Sequence, residues 1–196
     1  AHLCDLATGD VLSSASVMNP QIPFGEDLMS RVSYIMMHPE GAEAMTQAIQ
    51  SALSKLFVEL TEQLGETTDN ILEISLVANP IMHHLVLGIN PINLGGAPFA
   101  LTLDEAVTLK ASDLGLNAHL QARLFVLPCI AGNVGADTAG VILAEAPDRE
   151  KAMSLIVDVG TNAEIVLGNE DRLLVCSSPT GPAVEGGEIS AGQRAI

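Results

Sequence analysis

Tryptophan is missing from this 196-residue chain, and one tyrosine and four phenylalanines are its only aromatic side chains. Its core therefore has to be built from Leu, Ile, Val, Ala and Met, a palette that suits strands and helices packed together in an α/β fold. Basic residues are scarce too, with 8 Lys and Arg against 24 Asp and Glu, for a net charge of −16. A field of that sign repels nucleic acid and anionic membrane, and favours solubility, a basic partner surface or a high-salt cytoplasm; it names no activity by itself. No run of apolar residues reaches the ~18 of a membrane span, and no charged leader precedes an apolar signal core. The cysteines Cys4, Cys129 and Cys176 lie far apart, each in an apolar run and outside any close-spaced metal motif. Buried, inert thiols in a reducing, cytoplasmic compartment are expected, with no zinc or iron-sulfur cluster inside this segment.

What is present is enough apolar material, 48% of the chain, for one sizeable core or two small lobes. The sequence starts at Ala1 already inside a strand-like pattern and stops at Ile196 without a helical end signal, so a piece of a longer polypeptide is expected. Residues 3–6 and 11–16 read as strands joined by the turn Ala7-Thr8-Gly9-Asp10. A similar layout returns around the turn Gly168-Asn169-Glu170-Asp171-Arg172, and both second strands run into a serine pair followed by proline, a weak internal repeat. If the repeat is real, the first copy lacks its opening strand. Between the copies, a helix is expected from Glu26-Asp27 to a pause at Pro39. A longer one follows, with Met45, Ile49, Leu53, Leu56, Leu60 and Leu64 on one face up to Gly65. Ile71 to Val77 reads as a buried strand, and Asn79-Pro80 as cap and first turn of a helix through Leu87. Residues 88–100 are too rich in Gly and Pro for regular structure, and Leu124 to Leu127 is a further short strand broken at Pro128.

Two places carry chemistry. Leu155 to Val157 is an apolar strand that ends in Asp158, turns at Gly160-Thr161-Asn162 and returns through Ala163 to Leu167. Such a hairpin can aim the amides of Gly160, Thr161 and Asn162 at phosphate oxygens, and the carboxylate at the strand end can hold Mg²⁺, which takes one or two carboxylates alongside phosphates. An ordinary hairpin accounts for the same residues. Upstream, the small-residue run Ala131 to Thr138 leads into a helix expected over 139–146, with Asp137 near its first turn. Helix capping alone accounts for an acid there; paired with Asp158, it could instead orient water or a hydroxyl while the other acid holds the metal. The adjacent His83 and His84 point about 100° apart on a helix and cannot face one metal together, so they are structural or partner-facing.

Strand, small-residue loop, acid, Ala-rich helix and then a strand ending in Asp158-Val159-Gly160-Thr161 resemble the middle of the acetate kinase, sugar kinase, heat-shock chaperone and actin superfamily. Across nearly the whole chain the likeness narrows. Met18-Asn19-Pro20-Gln21 with Phe24-Gly25-Glu26-Asp27, Asn79-Pro80-Ile81-Met82-His83-His84-Leu85, Leu94 to Phe99, Pro128 to Gly132, Gly135-Ala136-Asp137-Thr138, Asp158 to Glu164, and Gly181-Pro182-Ala183-Val184-Glu185-Gly186 are similar to the C-terminal ATPase region of the reductive activators of corrinoid proteins. Ala163 and Val184 depart from it, standing where Gly and Phe are expected.

The resemblance implies an RNase-H-like, two-lobed ATPase fold of mixed sheets and helices, present as a truncated fragment. Residues 1–150 would form the first lobe, without its opening strand, and the connecting helix; residues 151–196 would begin the second. It implies ATP-driven reduction of a Co(II) corrinoid to Co(I) in a methyltransferase system, with Asp137 and Asp158 catalytic, Asp158 on Mg²⁺, and Gly135, Gly160, Thr161, Asn162 and Gly181 around the nucleotide. A 2Fe-2S cluster is expected in a separate upstream domain that passes electrons from a donor. The expected partner is a corrinoid protein, neither nucleic acid nor membrane is expected, and a homodimer stays open. The alternatives are a small-molecule kinase of the same superfamily, with Asp137 as base for a substrate group, and a non-catalytic module whose acidic surface docks a partner.

Overall fold

The computed structural model describes residues 1–160 and 162–180. Thr161 and Gly181, two of the expected nucleotide-binding positions, lie outside the described residues.

The first hairpin, β1 (His2–Cys4) and β2 (Val11–Ser14), is antiparallel. Its turn is held by the Asp5 carboxylate, which accepts from the amides of Ala7 and Thr8 at 2.7 and 2.9 Å. Those two amides favour the charged form and hold the Asp5 carboxyl below its usual range. Gly9 supplies the left-handed φ of 80° that closes the turn. The buried Ser13 hydroxyl donates to the Leu60 carbonyl at 2.9 Å and fastens β2 to the long helix that follows.

Helix α1 (Leu28–Met37) starts where the acids predict it. Asp27 is its N-cap, in a reciprocal box with Ser30, and His38 closes it just ahead of Pro39, a residue that disfavours helix before it. Helix α2 (Gly41–Glu62) buries Met45, Ala52, Leu56, Phe57 and Leu60. Ile49 and Leu53 are only half-buried and Leu64 is exposed. The expected stripe therefore holds over the middle of the helix and runs out where α2 ends ahead of Gly65, whose φ is 70°.

Strands β3 (Glu73–Leu76), β4 (Val107–Lys110) and β5 (Arg123–Val126) form one sheet in the order β3-β5-β4, with β3 and β5 parallel and β4 and β5 antiparallel. The stretch Ile71 to Val77, expected as a buried strand, is buried on one face only: Glu73 and Ser75 of β3 are exposed, and Leu72 and Val77, which flank the strand, are 48% and 49% exposed. Ile74, Leu76, Val107, Leu109, Leu124 and Val126 point inward onto Phe57, Ile71 and Leu116. The short strand β4 is a finding of the structure. The stretch from Gly88 to Ala100 also holds more order than its composition suggests. Ile92–Gly95 form a 3₁₀ turn, and Leu94 packs with Val32, Ile35, Met45, Ile81 and Leu85.

Helix α3 (Pro80–Val86) follows β3 directly, with Pro80 at its first position and the Asn79 side chain accepting from the Met82 amide at 2.9 Å. Asn79→Ala leaves that amide unpaired, and thermal unfolding of the full-length protein should show a loss of about 1 kcal/mol, the usual worth of an N-cap. Helix α4 (Ala136–Glu145) then leads to an antiparallel meander of β6 (Ser154–Val159), β7 (Asn162–Gly168) and β8 (Leu173–Pro179). Cys129 is buried as expected, but Cys4 and Cys176 are exposed. Both sit on hairpin strands whose alternate residues face outward, and an apolar run does not say which face a given residue takes. Among the described residues no helix is long and apolar enough to cross a membrane.

Candidate functional site

The site is built where two chain reversals meet. After β5, residues Ala131 and Val134 pair across a tight loop, and Gly135 becomes the N-cap of α4 in extended backbone, φ −82° and ψ 179°. No side chain caps this helix. The Ala78 carbonyl, at the junction of β3 and α3, takes the amides of Ala136 and Asp137 at 2.9 and 3.3 Å. Gly135 is pressed against that junction: a Cβ there would overlap the Asp137 carboxylate and stand 2.7 Å from Asn79 Cα and 2.8 Å from the Ala78 oxygen. Glycine is required at this position by close approach.

The Asp137 carboxylate is half-buried at the start of α4 and accepts from the Thr138 amide at 2.9 Å. Burial pushes its pKa above the ordinary aspartate value, the amide of Thr138 opposes the rise, and the negative charge of Asp158 adds to it. Asp158 is exposed near the end of β6, and the strand register sets it directly across from Glu164 on β7, which in turn lies across from Ser177 on β8. The three side chains share one face of the meander, and the Ser177 hydroxyl donates to Glu164 Oε1 at 2.9 Å. Burial raises the Glu164 pKa, Ser177 lowers it, and the charges of Asp137 and Asp158 raise it further. Asp137, Asp158 and Glu164 therefore share one electrostatic field although they come from α4, β6 and β7. Like charges opposite each other on neighbouring strands destabilise a sheet, so a cation between ligand and protein is what this arrangement suits. Among the described residues no three His, Cys, Asp or Glu are placed to cage a metal by themselves.

At the tip of the hairpin, the Gly160 amide donates to the Asn162 carbonyl at 2.8 Å, and the Gly160 carbonyl accepts from the Thr180 hydroxyl at 2.6 Å. Gly160 does not have a left-handed φ. Among the described residues a Cβ on it would meet nothing nearer than the Asn162 oxygen at 3.5 Å. Neither a positive φ nor crowding by the described residues requires glycine here, whereas an outside group approaching the backbone would. The expected fan of amides is thus modified, since the Gly160 N–H is engaged inside the turn.

The two histidines are structural. Both are fully buried. His83 Nε2 lies 3.1 Å from the Leu127 carbonyl, so that nitrogen carries the proton; His84 Nδ1 donates to the Pro80 carbonyl at 2.8 Å while its Nε2 accepts from the Thr102 amide at 3.1 Å. Burial lowers both pKa values, and for His83 the neighbouring imidazole lowers it further. His83 Nδ1 has no hydrogen-bond partner among the described residues.

Of the positions expected at the site, Asp137 and Asp158 meet in one field, Gly160 and Asn162 form the adjacent turn, and Gly135 sits in the wall behind Asp137. Glu164 and Ser177 were given no role by sequence reasoning. The signal was available: folding the hairpin symmetrically about its Gly160 to Asn162 turn sets Asp158 against Glu164.

Residues 1–150 match the family model described as the RACo middle region, and residues 152–196 match the C-terminal domain of RACo, the ASKHA domain. The chain is 36% identical over 193 residues to the corrinoid activation enzyme RamQ of Eubacterium limosum, covering 98% of this chain and 32% of that protein. It is 26% identical over 201 residues to the [Co(II) methylated amine-specific corrinoid protein] reductase of Methanosarcina barkeri, covering 99% and 36%. A solved structure titled reductive activator for corrinoid, iron-sulfur protein superposes over all of this chain and 31% of its own, with a TM-score of 0.90 and 31% identity. The chain spans about a third of the length of these curated relatives.

Proposed function

The chain belongs to the RACo family, and from that premise we propose that it forms part of the nucleotide site of an ATPase that reductively activates a corrinoid protein, Co(II) to Co(I). The observation that carries this reading is the meeting of Asp137 and Asp158 in one field beside a hairpin tip whose glycine no described residue crowds. Those residues fit a magnesium nucleotide: Mg²⁺ keeps waters and takes one or two carboxylates plus phosphate oxygens, so no protein cage is needed. Bound ATP supplies the free energy that an uphill one-electron reduction of cobalt lacks. Asp158, exposed near the strand end, would hold the metal. Asp137, whose basicity burial raises, positions a water and takes its proton at the carboxylate. Ser177 fixes Glu164 beside them.

Residues 1–150 are read as the first RNase-H-like lobe with its connecting helix α4, and residues 151–196 as the start of the second. Supporting this division, the two family models change over between residues 150 and 152. The parent protein is placed in the cytoplasm, where the free and exposed Cys4 and Cys176 stay reduced. Its partners would be a Co(II) corrinoid protein and an electron donor acting through an upstream 2Fe-2S domain.

The test is phosphate release by the full-length protein, with and without a Co(II) corrinoid protein. Corrinoid-stimulated release is expected, and Asp158→Ala should reduce it by about a hundredfold or more, the scale of losing one charge-stabilising group. Undiminished release by the variant overturns the assignment of Asp158. A phosphorylated small molecule accumulating in place of free phosphate would make the protein a kinase.

A further inference from the structure

We propose that Arg31 and Asn19 form an anion site that takes a phosphate group; this rests on the reading of Asp137, Asp158 and the hairpin as part of a nucleotide site. Arg31 is 5% exposed, the only Lys or Arg buried among the described residues, in a chain with 24 acids against 8 bases. Burying a charge is costly unless it is paired and hydrogen-bonded. The ion pairs among the described residues are His38 with Glu40 and Arg123 with Glu73, so no carboxylate pairs with Arg31 there. Burial pulls its pKa down and the charge of Asp27 opposes the fall, but the Asp27 carboxylate is occupied in capping α1, accepting from the Ser30 amide at 2.7 Å. A guanidinium cannot escape the cost by losing its proton.

The protein's own acceptors satisfy Arg31 poorly. Its Nε donates to the Gly25 carbonyl at 3.0 Å and its Nη1 to the Met82 sulfur at 3.6 Å. Asn19 is aimed the same way: its Oδ1 accepts from the Gln21 amide at 2.9 Å, which leaves Nδ2 to donate to the same sulfur at 3.8 Å. A thioether is a weak acceptor, so a charged donor and an amide donor converge on a spot that satisfies neither. Arg31 Nη2 has no acceptor among the described residues. It is not one of the sealed, unpaired polar atoms either, which are Gln21 Oε1, His83 Nδ1 and Thr138 Oγ1, so it keeps contact with solvent. A guanidinium fork with an amide donor beside it suits the several oxygens of a phosphate group. The position in the fold agrees. Asn79 holds the Met82 amide, the Ala78 carbonyl holds the Asp137 amide, and both Asn79 and the Asp137 carboxylate border Gly135. Residues 78–82 thus seat both the Arg31 donors and the acid proposed to position water. The phosphate group would be the terminal one of the nucleotide or the inorganic phosphate left by hydrolysis.

The experiment titrates the full-length protein with MgATP, MgADP and, in the presence of MgADP, inorganic phosphate, by calorimetry, on the parent and on Arg31→Gln and Asn19→Asp, alongside their melting temperatures. Arg31→Gln removes the charge, and with it the donor to Gly25, so it also tests folding. Asn19→Asp keeps an oxygen for the Gln21 amide and gives the guanidinium a carboxylate of the protein's own, which fills the place of the ligand; its melting temperature should hold or rise. Both variants should weaken MgATP about ten- to a hundredfold, the scale of a hydrogen bond to a charged group, and leave MgADP nearly unchanged. Unchanged MgATP affinity with lost binding of inorganic phosphate would assign the site to the free phosphate instead. Parent-like affinity for both MgATP and inorganic phosphate in Asn19→Asp overturns the proposal whatever Arg31→Gln does, since Arg31 is then a clasp on Gly25 only. Equal losses for MgATP and MgADP overturn it too, because they mark a distorted fold. If the parent binds neither nucleotide, the nucleotide reading itself fails and this inference with it; if the parent binds MgATP and Asn19→Asp binds all three ligands equally well, only this inference fails.

Discussion

Gly135→Ala should cost the full-length protein about 2–4 kcal/mol of stability and remove most of its phosphate release, because one added methyl group meets backbone it cannot displace. Its Cβ would stand 2.7 Å from Asn79 Cα and 2.8 Å from the Ala78 oxygen, and would overlap the Asp137 carboxylate. A flexible side chain can move aside; the β3 to α3 junction cannot, since Ala78 holds the amides of Ala136 and Asp137 and Asn79 caps α3. Relief therefore means lifting the first turn of α4 off the Ala78 carbonyl or rotating Asp137. Either route displaces the acid proposed to position water, and a shift of about 1 Å at such a group is worth about a hundredfold in rate. Chemical denaturation and phosphate release on the same preparation check both parts. Gly160→Ala is the control, because among the described residues a Cβ there meets only the Asn162 oxygen at 3.5 Å. It should leave stability nearly unchanged while impairing nucleotide binding. Full activity with normal stability in Gly135→Ala would show that the junction yields, and with it the account of how Asp137 is held.

Gly135 also shows how far the sequence could be read. It stands out there as part of a motif that includes Asp137 and is expected near the nucleotide; the structure adds that its Cα is pressed against a backbone segment far away in sequence. Spacing cannot reveal that kind of contact. Local chemistry was legible: Asp27 and Asn79 cap the helices they were expected to cap, and the turn at Gly160 joins the strands it was expected to join. What failed were judgments of which face a residue takes. Cys4 and Cys176 lie in apolar runs yet face outward, because alternate residues of a hairpin strand take opposite faces, and Leu72 and Val77, which flank β3, are exposed as well. Strand β4 was missed since four residues, two inward and two outward, are too short a period to stand out. Glu164 was passed over for a different reason: its importance comes from being opposite Asp158 and within the field of Asp137, a tertiary fact.

The buried pair His83 and His84 should make the protein acid-labile in a defined pH window. Both imidazoles are fully buried and neutral, with pKa values that burial holds below the ordinary value of 6.5. In the unfolded chain they titrate near that ordinary value, so between it and the lower folded values the unfolded state binds more protons. Stability is then intact above pH 6.5, falls as pH drops from there toward the folded pKa values, and levels off below them, with a slope of at most about 1.4 kcal/mol per pH unit for each proton. Charging is opposed by geometry as well. A protonated His84 could no longer accept from the Thr102 amide, and a protonated His83 would bring a second donor, at Nδ1, to a place with no acceptor. Asp137 and Glu164 act in the opposite sense, because their raised pKa values make the folded state the better proton binder and add stability as they protonate. Their window opens at the ordinary carboxylate values and extends upward from there. Denaturant unfolding of the full-length protein between pH 7.5 and 5 should show the loss, and His83→Gln, which keeps a donor for the Leu127 carbonyl but does not titrate, should flatten the slope. An unchanged slope in His83→Gln and in the matching His84→Gln variant would place the acid sensitivity elsewhere. A flattened one would mean that the packing beneath residues 79–86, on which the Asp137 helix is seated through Ala78, is held together by two imidazoles that must stay uncharged.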